Sequence, residues 1–319
     1  EDVDGIEVHR AYVYATPNRG VYRRAWSYFT FMLCAIFTGL FRVRRPDVLI
    51  ATSPQLLAGV AGWVIAALRR IPFVLEVRDL WPESIEAVGA FRHRFVLRCL
   101  YAVANFLYAR ARHIVLVSEE SRRVLEERGI PAEKMSVIKN GVDLALFHPG
   151  AANGAVRERH DLDGDFVVLY IGTIGMAHGL EVVLDAARRL NPQERVRFLL
   201  VGEGARKEAL RAQANGTPGV LFLDGRPRAE VPATIAAADL CLVHLKRSDL
   251  FKTVIPSKLF EIMGCGKPIL LGVEGEAQRL IEEAAAGRAF TPENADELVA
   301  AVRRLQAEPE EAKRLGENG

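Results

Sequence analysis

Short apolar runs alternate with longer stretches of helical period along almost the whole chain. In the first half, residues 47–51, 73–77, 113–117 and 135–138 predict strands, and a further strand-like run covers 6–14. Residues 54–68 and 95–111 predict apolar helices, and 119–128 a helix with one charged face. The second half restarts the pattern, with strands at 166–172, 197–201, 220–223, 240–243 and 269–271 and helices at 180–190, 207–213 and 295–307. Val48, Leu49 and Ile50 are consecutive apolar residues, as expected of a parallel strand covered on both faces. Such alternation predicts an α/β chain with parallel sheets. Asn140-Gly141-Val142-Asp143 is a turn signal, and Pro149-Gly150-Ala151-Ala152-Asn153-Gly154 is the stretch least suited to regular structure. The expected organisation is therefore two doubly wound, Rossmann-like domains, 1–148 and 149–319, facing a cleft. Ligands in such sheets bind at the carboxyl ends of the strands.

Residues 25–41 carry no charge and are bounded by Arg23 and Arg24 on one side and Arg42, Arg44 and Arg45 on the other. As a helix this stretch reaches roughly 25 Å, short of the roughly 30 Å hydrocarbon core. Three readings stay open: a buried helix of an α/β layer, a helix that also dips into a membrane interface with its arginines on headgroups, and a true span.

At 319 residues, half of them apolar and 26% charged, the chain has the length and composition of a soluble two-domain globular protein. The net charge of +2 is unevenly spread: residues 1–148 hold 20 Lys and Arg against 15 Asp and Glu, the remainder 22 against 25. A basic first half suits an anionic surface or acceptor, whereas a nucleic-acid binder would be more basic. Cys34, Cys99, Cys241 and Cys265 show neither CxxC nor Cys/His ligand spacing, so no structural zinc, redox pair or other metal is expected, and they read as small apolar residues of a reducing compartment. The chain starts at Glu1 and stops after Asn318-Gly319; both ends read as clipped, and no signal peptide is visible.

The candidate chemistry centres on the stretch from Val254 to Leu270, read as a loop, a short helix, a glycine stop and a strand. Ser257 is a plausible N-cap. Lys258 stands in the first turn, where a cation is unfavourable unless an anion lies between it and the helix N-terminus. Glu261, one turn on, would accept hydrogen bonds from sugar hydroxyls. An ordinary capped helix is the competing reading. After the strand at 166–172, Gly172-Thr173-Ile174-Gly175-Met176-Ala177-His178-Gly179 forms a glycine-rich turn that lets backbone approach a ligand. Gly202-Glu203-Gly204-Ala205-Arg206-Lys207 resembles a dinucleotide fingerprint with a lysine in the third glycine position, and reads as a turn near a nucleotide or as pure structure. In the first half, Glu76-Val77-Arg78-Asp79-Leu80-Trp81-Pro82-Glu83-Ser84 gathers carboxylates and an arginine at a strand exit, and Thr52-Ser53-Pro54 stands at the preceding one. Either a substrate site or an Arg–Glu pair pinning a loop accounts for the first. No serine elbow, P-loop or HExxH occurs.

Taken together, these stretches resemble glycosyltransferase family 4, retaining enzymes of the two-Rossmann GT-B architecture. The resemblance runs through Val137-Ile138-Lys139-Asn140-Gly141-Val142-Asp143 with Phe147-His148-Pro149, then Asp185-Ala186-Ala187, Leu199-Leu200-Val201-Gly202-Glu203-Gly204 and Ala236-Ala237-Ala238-Asp239. Glu76 to Ser84 and Pro256-Ser257-Lys258-Leu259-Phe260-Glu261 are similar to the subgroup of amino-sugar and deoxy-sugar transferases of O-antigen and capsule assembly. The resemblance implies a donor site holding Gly172, Thr173, His178, Gly202, Arg226, Pro227, Thr253, Ser257, Lys258, Leu259 and Glu261, with Glu261 on the ribose and the base near Arg226-Pro227. This chain departs from the family in having Thr253 in place of a sugar-binding glutamate, Thr173 and His178 in place of a phosphate-binding Arg and Lys, and Thr52 or Ser53 where a histidine is usual. The family's N-terminal glycine-rich loop and closing C-terminal helix are not recognised.

The implied activity is metal-independent and cofactor-independent sugar transfer, with retention, from a nucleotide-diphosphate sugar such as a UDP-sugar to a polyprenyl-diphosphate-linked glycan. It would take place at the inner face of the cytoplasmic membrane. Asp79 or Glu83 would orient the acceptor, with Thr52, Ser53, Arg78 and Trp81 on the acceptor side. A nucleotide-sugar epimerase of the same shape and a non-catalytic nucleotide- or lipid-binding scaffold are the alternatives. Nucleic acid is not an expected partner.

Overall fold

The computed structural model describes residues 1–15, 21–87, 94–150 and 154–319. The chain separates into two compact units, Glu1–Lys139 and Asn140–Gly319. Residues 140–148, which the sequence pattern assigns to the first half, cluster with the second: Phe147 is fully buried, and its carbonyl lies 2.9 Å from where a Cβ on Gly264 would stand. Ala151, Ala152 and Asn153 of the expected boundary lie outside the described residues.

The first unit opens with a two-residue-per-strand hairpin, β1 (Asp2–Val3) and β2 (Ile6–Glu7). The strand expected over 6–14 thus shrinks to Ile6 and Glu7, since pairing is limited to Asp2 and Val3. Then come α1 (Val21–Phe41), β3 (Leu49–Ser53), α2 (Leu56–Arg69), β4 (Phe73–Val77), α3 (Glu83–Ala87), α4 (Arg94–Arg110), β5 (His113–Leu116), α5 (Glu119–Glu127) and β6 (Met135–Val137). Strands β3-β4-β5-β6 form a parallel sheet that advances in one direction, without a reversal of strand order among the described residues. Local chemistry sets the ends: the Gln55 side chain caps α2 by accepting from Ala58 N–H, and Ser118 caps α5 by accepting from Ser121 N–H. Helix α1 packs on α2, with Gly39 so close to Ile65 that a Cβ would stand 2.6 Å from its Cδ1. Its other side leaves Tyr22, Trp26, Phe29, Leu33, Phe37 and Phe41 exposed at helical spacing. No helix among the described residues is long and apolar enough to cross a membrane.

The second unit comprises α6 (Ala155–Arg159), β7 (Phe166–Ile171), α7 (Glu181–Arg189), β8 (Val196–Val201), α8 (Lys207–Gln213), β9 (Val220–Leu223), α9 (Val231–Ala236), β10 (Leu240–His244), α10 (Lys258–Gly264), β11 (Ile269–Gly272), α11 (Glu276–Glu283), β12 (Gly287–Ala289), α12 (Ala295–Ala307) and α13 (Pro309–Asn318). Its six strands are all parallel, in the order β12-β11-β10-β7-β8-β9. Val167 to Tyr170 and Leu240 to Val243 are buried throughout, as strands covered on both faces must be. The chain works outward from β7 through β8 to β9, then returns to lay β10 against the other edge of β7. That reversal between β7 and β10 is the topological switch point, where loops diverge and leave a crevice at the carboxyl ends.

Helix α13 opens in the acidic run 308–311, yet part of that run is not solvated. Glu311 is buried and pairs with Arg288 of β12 and Arg304 of α12. The two arginines compensate its burial and hold its pKa below the ordinary glutamate range.

Candidate functional site

Two loops build the floor of the crevice. Gly172 leaves β7 and donates its N–H to the Val201 carbonyl, 2.9 Å; Ile174 donates to Glu203, 2.8 Å, and Arg206 donates back to Ile174, 3.0 Å. The loops after β7 and β8 are therefore zipped together. Gly202 and Gly204 make this possible, at φ +146° and +157°: a Cβ on Gly202 would stand 1.8 Å from the Gly172 carbonyl oxygen, and one on Gly204 2.3 Å from that of Ile174. Lys207, in the fingerprint's third glycine position, is buried and pairs with Glu203 at 2.8 Å and Asp224 at 2.7 Å. Burial works against its charge, but the two carboxylates prevail and hold its pKa above the ordinary lysine value. The resemblance to a dinucleotide turn is thus accounted for by loop-to-loop packing.

Above this floor stands Tyr170, fully buried, its hydroxyl donating to the Thr173 carbonyl at 2.6 Å. Two cationic or potentially cationic groups flank its ring. Lys258 Nζ lies 4.1 Å from the ring centroid and so near Gly172 that a Cβ there would be 2.6 Å away. The ammonium makes no hydrogen bond or ion pair among the described residues. Burial pushes its pKa down to about 7, opposed by Glu261 one turn along α10. His178 meets the same ring edge-on, centroids 6.0 Å apart at 73°. Its Nδ1 is buried and, among the described residues, makes no hydrogen bond of ordinary geometry, although the Gly175 backbone beside it favours the protonated ring slightly. Burial first, and Lys258 second, push its pKa down to about 4, so the imidazole is neutral at pH 7.

The structure thus gathers Gly172, His178 and Lys258 around Tyr170, and Glu261 joins them through Lys258. The other expected donor residues have different surroundings. Ser257 has helical dihedrals and no capping hydrogen bond, contrary to its expected N-cap role, because a capping residue needs extended backbone. Leu259 is fully buried and anchors α10. Thr253 is buried, with its hydroxyl donating to the Leu250 carbonyl at 2.8 Å. Thr173 is exposed; Arg226 and Pro227 follow β9. His160 feels Arg226, which together with burial, the larger influence, lowers its pKa. Tyr170 and His244 carry no motif of their own; their only signal in the sequence is an aromatic or polar group near the end of an apolar run, and His160, in the charged stretch Arg157-Glu158-Arg159-His160-Asp161, has none.

In the first unit, Thr52 donates to Glu76 at 2.6 Å. Ser53 Oγ is buried, has no hydrogen-bond partner among the described residues, and shares a small apolar cavity with Trp81, Leu75, Leu107 and Tyr108. The Trp81–Pro82 peptide is cis. Glu83 Oε1 accepts from Arg128, while Oε2 is buried and has no hydrogen-bond partner among the described residues. Asp79 is half-buried; burial raises its pKa against the pull of the exposed Arg78. No cluster of three or more His, Cys, Asp or Glu capable of holding a metal occurs among the described residues.

A family model described as glycosyl transferases group 1 matches residues 154–319, and one described as a glycosyl transferase 4-like domain matches residues 1–141. A protein of Escherichia coli K12 named for colanic acid biosynthesis as glycosyl transferase WcaI is 27% identical over 308 residues, covering 93% of this chain and 75% of its own. The D-inositol 3-phosphate glycosyltransferase of Segniliparus rotundus is 25% identical over 334 residues, covering 100% and 72%. Among solved structures, Anabaena Alr3699/HepE in complex with UDP-glucose superposes with a TM-score of 0.75 at 21% identity, over 94% of this chain and 78% of its own. The sucrose-phosphate synthase of Thermosynechococcus elongatus does so with 0.72 at 20%, over 96% and 76%. At such identities the structural likeness shows the fold.

Proposed function

The chain belongs to the group 1 glycosyl transferases and has the GT-B type of fold, and from that premise we propose that it moves a sugar from a UDP-linked donor to a lipid-linked glycan, with retention at the anomeric carbon. The carrying observation is the unpaired Lys258 ammonium beside Gly172 and Tyr170 at the switch point of the second unit. A buried cation without a counter-ion is unfavourable, and a diphosphate supplies one. The same ammonium then stabilises the charge that grows on the departing UDP, in place of a metal ion. The orphaned His178 Nδ1 gains a phosphate or sugar oxygen as partner. Glu261 accepts the ribose hydroxyls, and the phosphate oxygen of the donor takes the acceptor's proton. That HepE was captured with UDP and with UDP-glucose supports uridine as the base. The second unit would hold the donor and the first the acceptor, where the burial-raised Asp79 orients the incoming hydroxyl and Glu83, tied to Arg128, shapes the loop.

Thermal-shift titration tests the nucleotide. UDP at about 100 times its dissociation constant should stabilise the protein by about 2.7 kcal/mol, with no shift from NAD; a shift from NAD alone would sink the reading. Turnover tests the reaction. A glycosylated polyprenyl-diphosphate glycan is the expected product, whereas an epimerised sugar nucleotide without acceptor marks an epimerase and no turnover marks a scaffold.

The membrane surface is part of the same proposal. The exposed aromatic stripe of α1, with Phe41 72% exposed and Arg42, Arg44 and Arg45 just beyond it, suits an interfacial helix lying among anionic headgroups. Flotation with phosphatidylglycerol vesicles is expected to carry the protein, and the triple change Trp26→Ser, Phe37→Ser, Phe41→Ser to reduce its vesicle affinity by well over tenfold, since burying even one large apolar side chain is worth about 1.5 kcal/mol or more. Equal flotation of both forms removes α1 from the account.

A further inference from the structure

His244 closes β10 and is almost fully buried. Both of its ring nitrogens are engaged. Nδ1 lies 2.6 Å from the His178 carbonyl oxygen, which only accepts, so Nδ1 carries the proton. The Glu293 backbone N–H donates to Nε2 at 2.9 Å, so Nε2 is bare. The two partners therefore specify one neutral tautomer, and burial, which lowers the pKa, acts in the same sense. The ring sits in a flat slot. Phe290 stacks on it with centroids 5.8 Å apart at 16°, while a Cβ on Gly272 would stand 2.3 Å from Cδ2 and one on Gly179 3.2 Å from Cε1.

The groups that His244 joins lie at the heart of the crevice. The His178 carbonyl belongs to the 175–179 loop, which carries the His178 ring to Tyr170 and Lys258. A second tie runs from Lys246 N–H to the Ala177 carbonyl at 2.8 Å. On the far side, Glu293, at φ +65°, accepts from Arg247 N–H at 2.9 Å. The loops after β7, β10 and β12 thus converge on one imidazole, which donates from one edge and accepts on the other in a close-packed site.

We propose that His244 is a positioning residue for the diphosphate site: as its Nδ1–H tautomer it sets the depth of the 175–179 loop, and so the place of His178 beside Lys258. The inference rests on UDP binding at Lys258 as proposed above. The test uses the full chain with UDP as the probe, read by calorimetry and melting temperature. His244→Phe fills the slot and stacks on Phe290 but makes neither bond; His244→Asn returns an N–H donor near the position of Nδ1. His244→Phe is expected to bind UDP at least about tenfold more weakly, a loss of about 1.4 kcal/mol, and His244→Asn to recover to within about threefold of the parent. A purely structural histidine would lower the melting temperature of both and leave UDP affinity alone. Parent-like affinity in His244→Phe, or no recovery in His244→Asn, overturns the proposal. Nitrogen-15 spectra of the unaltered protein at pH 7 decide the matter independently should the Phe variant not fold: the Nδ1–H tautomer is expected, and an Nε2–H tautomer or an imidazolium overturns it. Lys258→Ala is measured alongside. Undiminished UDP binding there removes the site itself, whereas loss there with none in His244→Phe removes only the positioning role.

Discussion

Lys258→Met is expected to weaken UDP binding by about 10- to 100-fold, the worth of a charge-assisted hydrogen bond of about 1.5–3 kcal/mol. Methionine keeps the length and apolar stem of the side chain, so the loss reports the charge. The pH dependence follows from the burial-lowered pKa of about 7. Above pH 7 the empty site loses the ammonium proton and UDP must restore it, so binding takes up a proton. Affinity in the parent should fall by up to about tenfold per pH unit above 7, and in Lys258→Met it should be flat from pH 7.5 to 9. Calorimetry in buffers of different ionisation enthalpy measures the proton uptake directly, and no uptake at pH 8 would remove Lys258 from the site. Stability of the empty protein moves the other way. The folded pKa of Lys258 lies below the unfolded value of 10.5, so between those limits only the unfolded chain holds the proton, and stability rises with pH. Below pH 7 the full burial cost applies. The empty Lys258→Met variant should therefore melt a few degrees higher than the parent at pH 6.5, with the gap closing toward pH 10.5. A substitution that stabilises the fold while abolishing ligand affinity is the signature of a functional charge.

Gly202→Ala is expected to be the most damaging single change to stability. Its Cβ would stand 1.8 Å from the Gly172 carbonyl oxygen, a backbone atom that cannot swing aside, at a φ of +146° that side-chain-bearing residues avoid. Overpacking of about 1–3 kcal/mol and backbone strain of about 1–3 kcal/mol add at one position. The loss should be about 3 kcal/mol or more in denaturant unfolding, a large share of a domain's 5–15 kcal/mol. Gly216→Ala is the control: it also has positive φ, +77°, but open space around it, and should cost about 1 kcal/mol. Equal costs at the two positions would refute the packing argument for the paired glycine loops.

Much of this architecture was legible from local pattern. Strands β4 and β9 and helices α8 and α12 run where apolar period alone puts them, because their periodicity is strong and their ends are marked. Asn294, which accepts from Asp296 and Glu297 N–H, shows how a single cap settles a helix start. Elements with weak or short-range signals were not legible. Strand β12, Gly-Arg-Ala, is held by pairing with β11 and has no β-forming residues of its own. Ser257 looked like a cap but follows Pro256 with its own backbone already helical. Glu311 stands in an acidic run with no local sign of burial, and is held by two arginines from other elements.

The same division runs through the site. Sequence alone singled out Lys258, Glu261, His178 and the glycine turns, because each breaks a local rule: a cation at a helix start, glycines where an apolar strand ends. It also determined the class of fold, since burial on one or both faces leaves its period in the order of residues. Tertiary structure alone decided that Lys258 reaches Gly172 and Tyr170 and makes no ion pair among the described residues, that Gly202 lets two loops touch, and that His244 binds both His178 and Glu293. Those facts depend on strand order and on contacts between distant segments. Such contacts are bought by the folding of the whole unit, and no neighbouring residue in the chain records them.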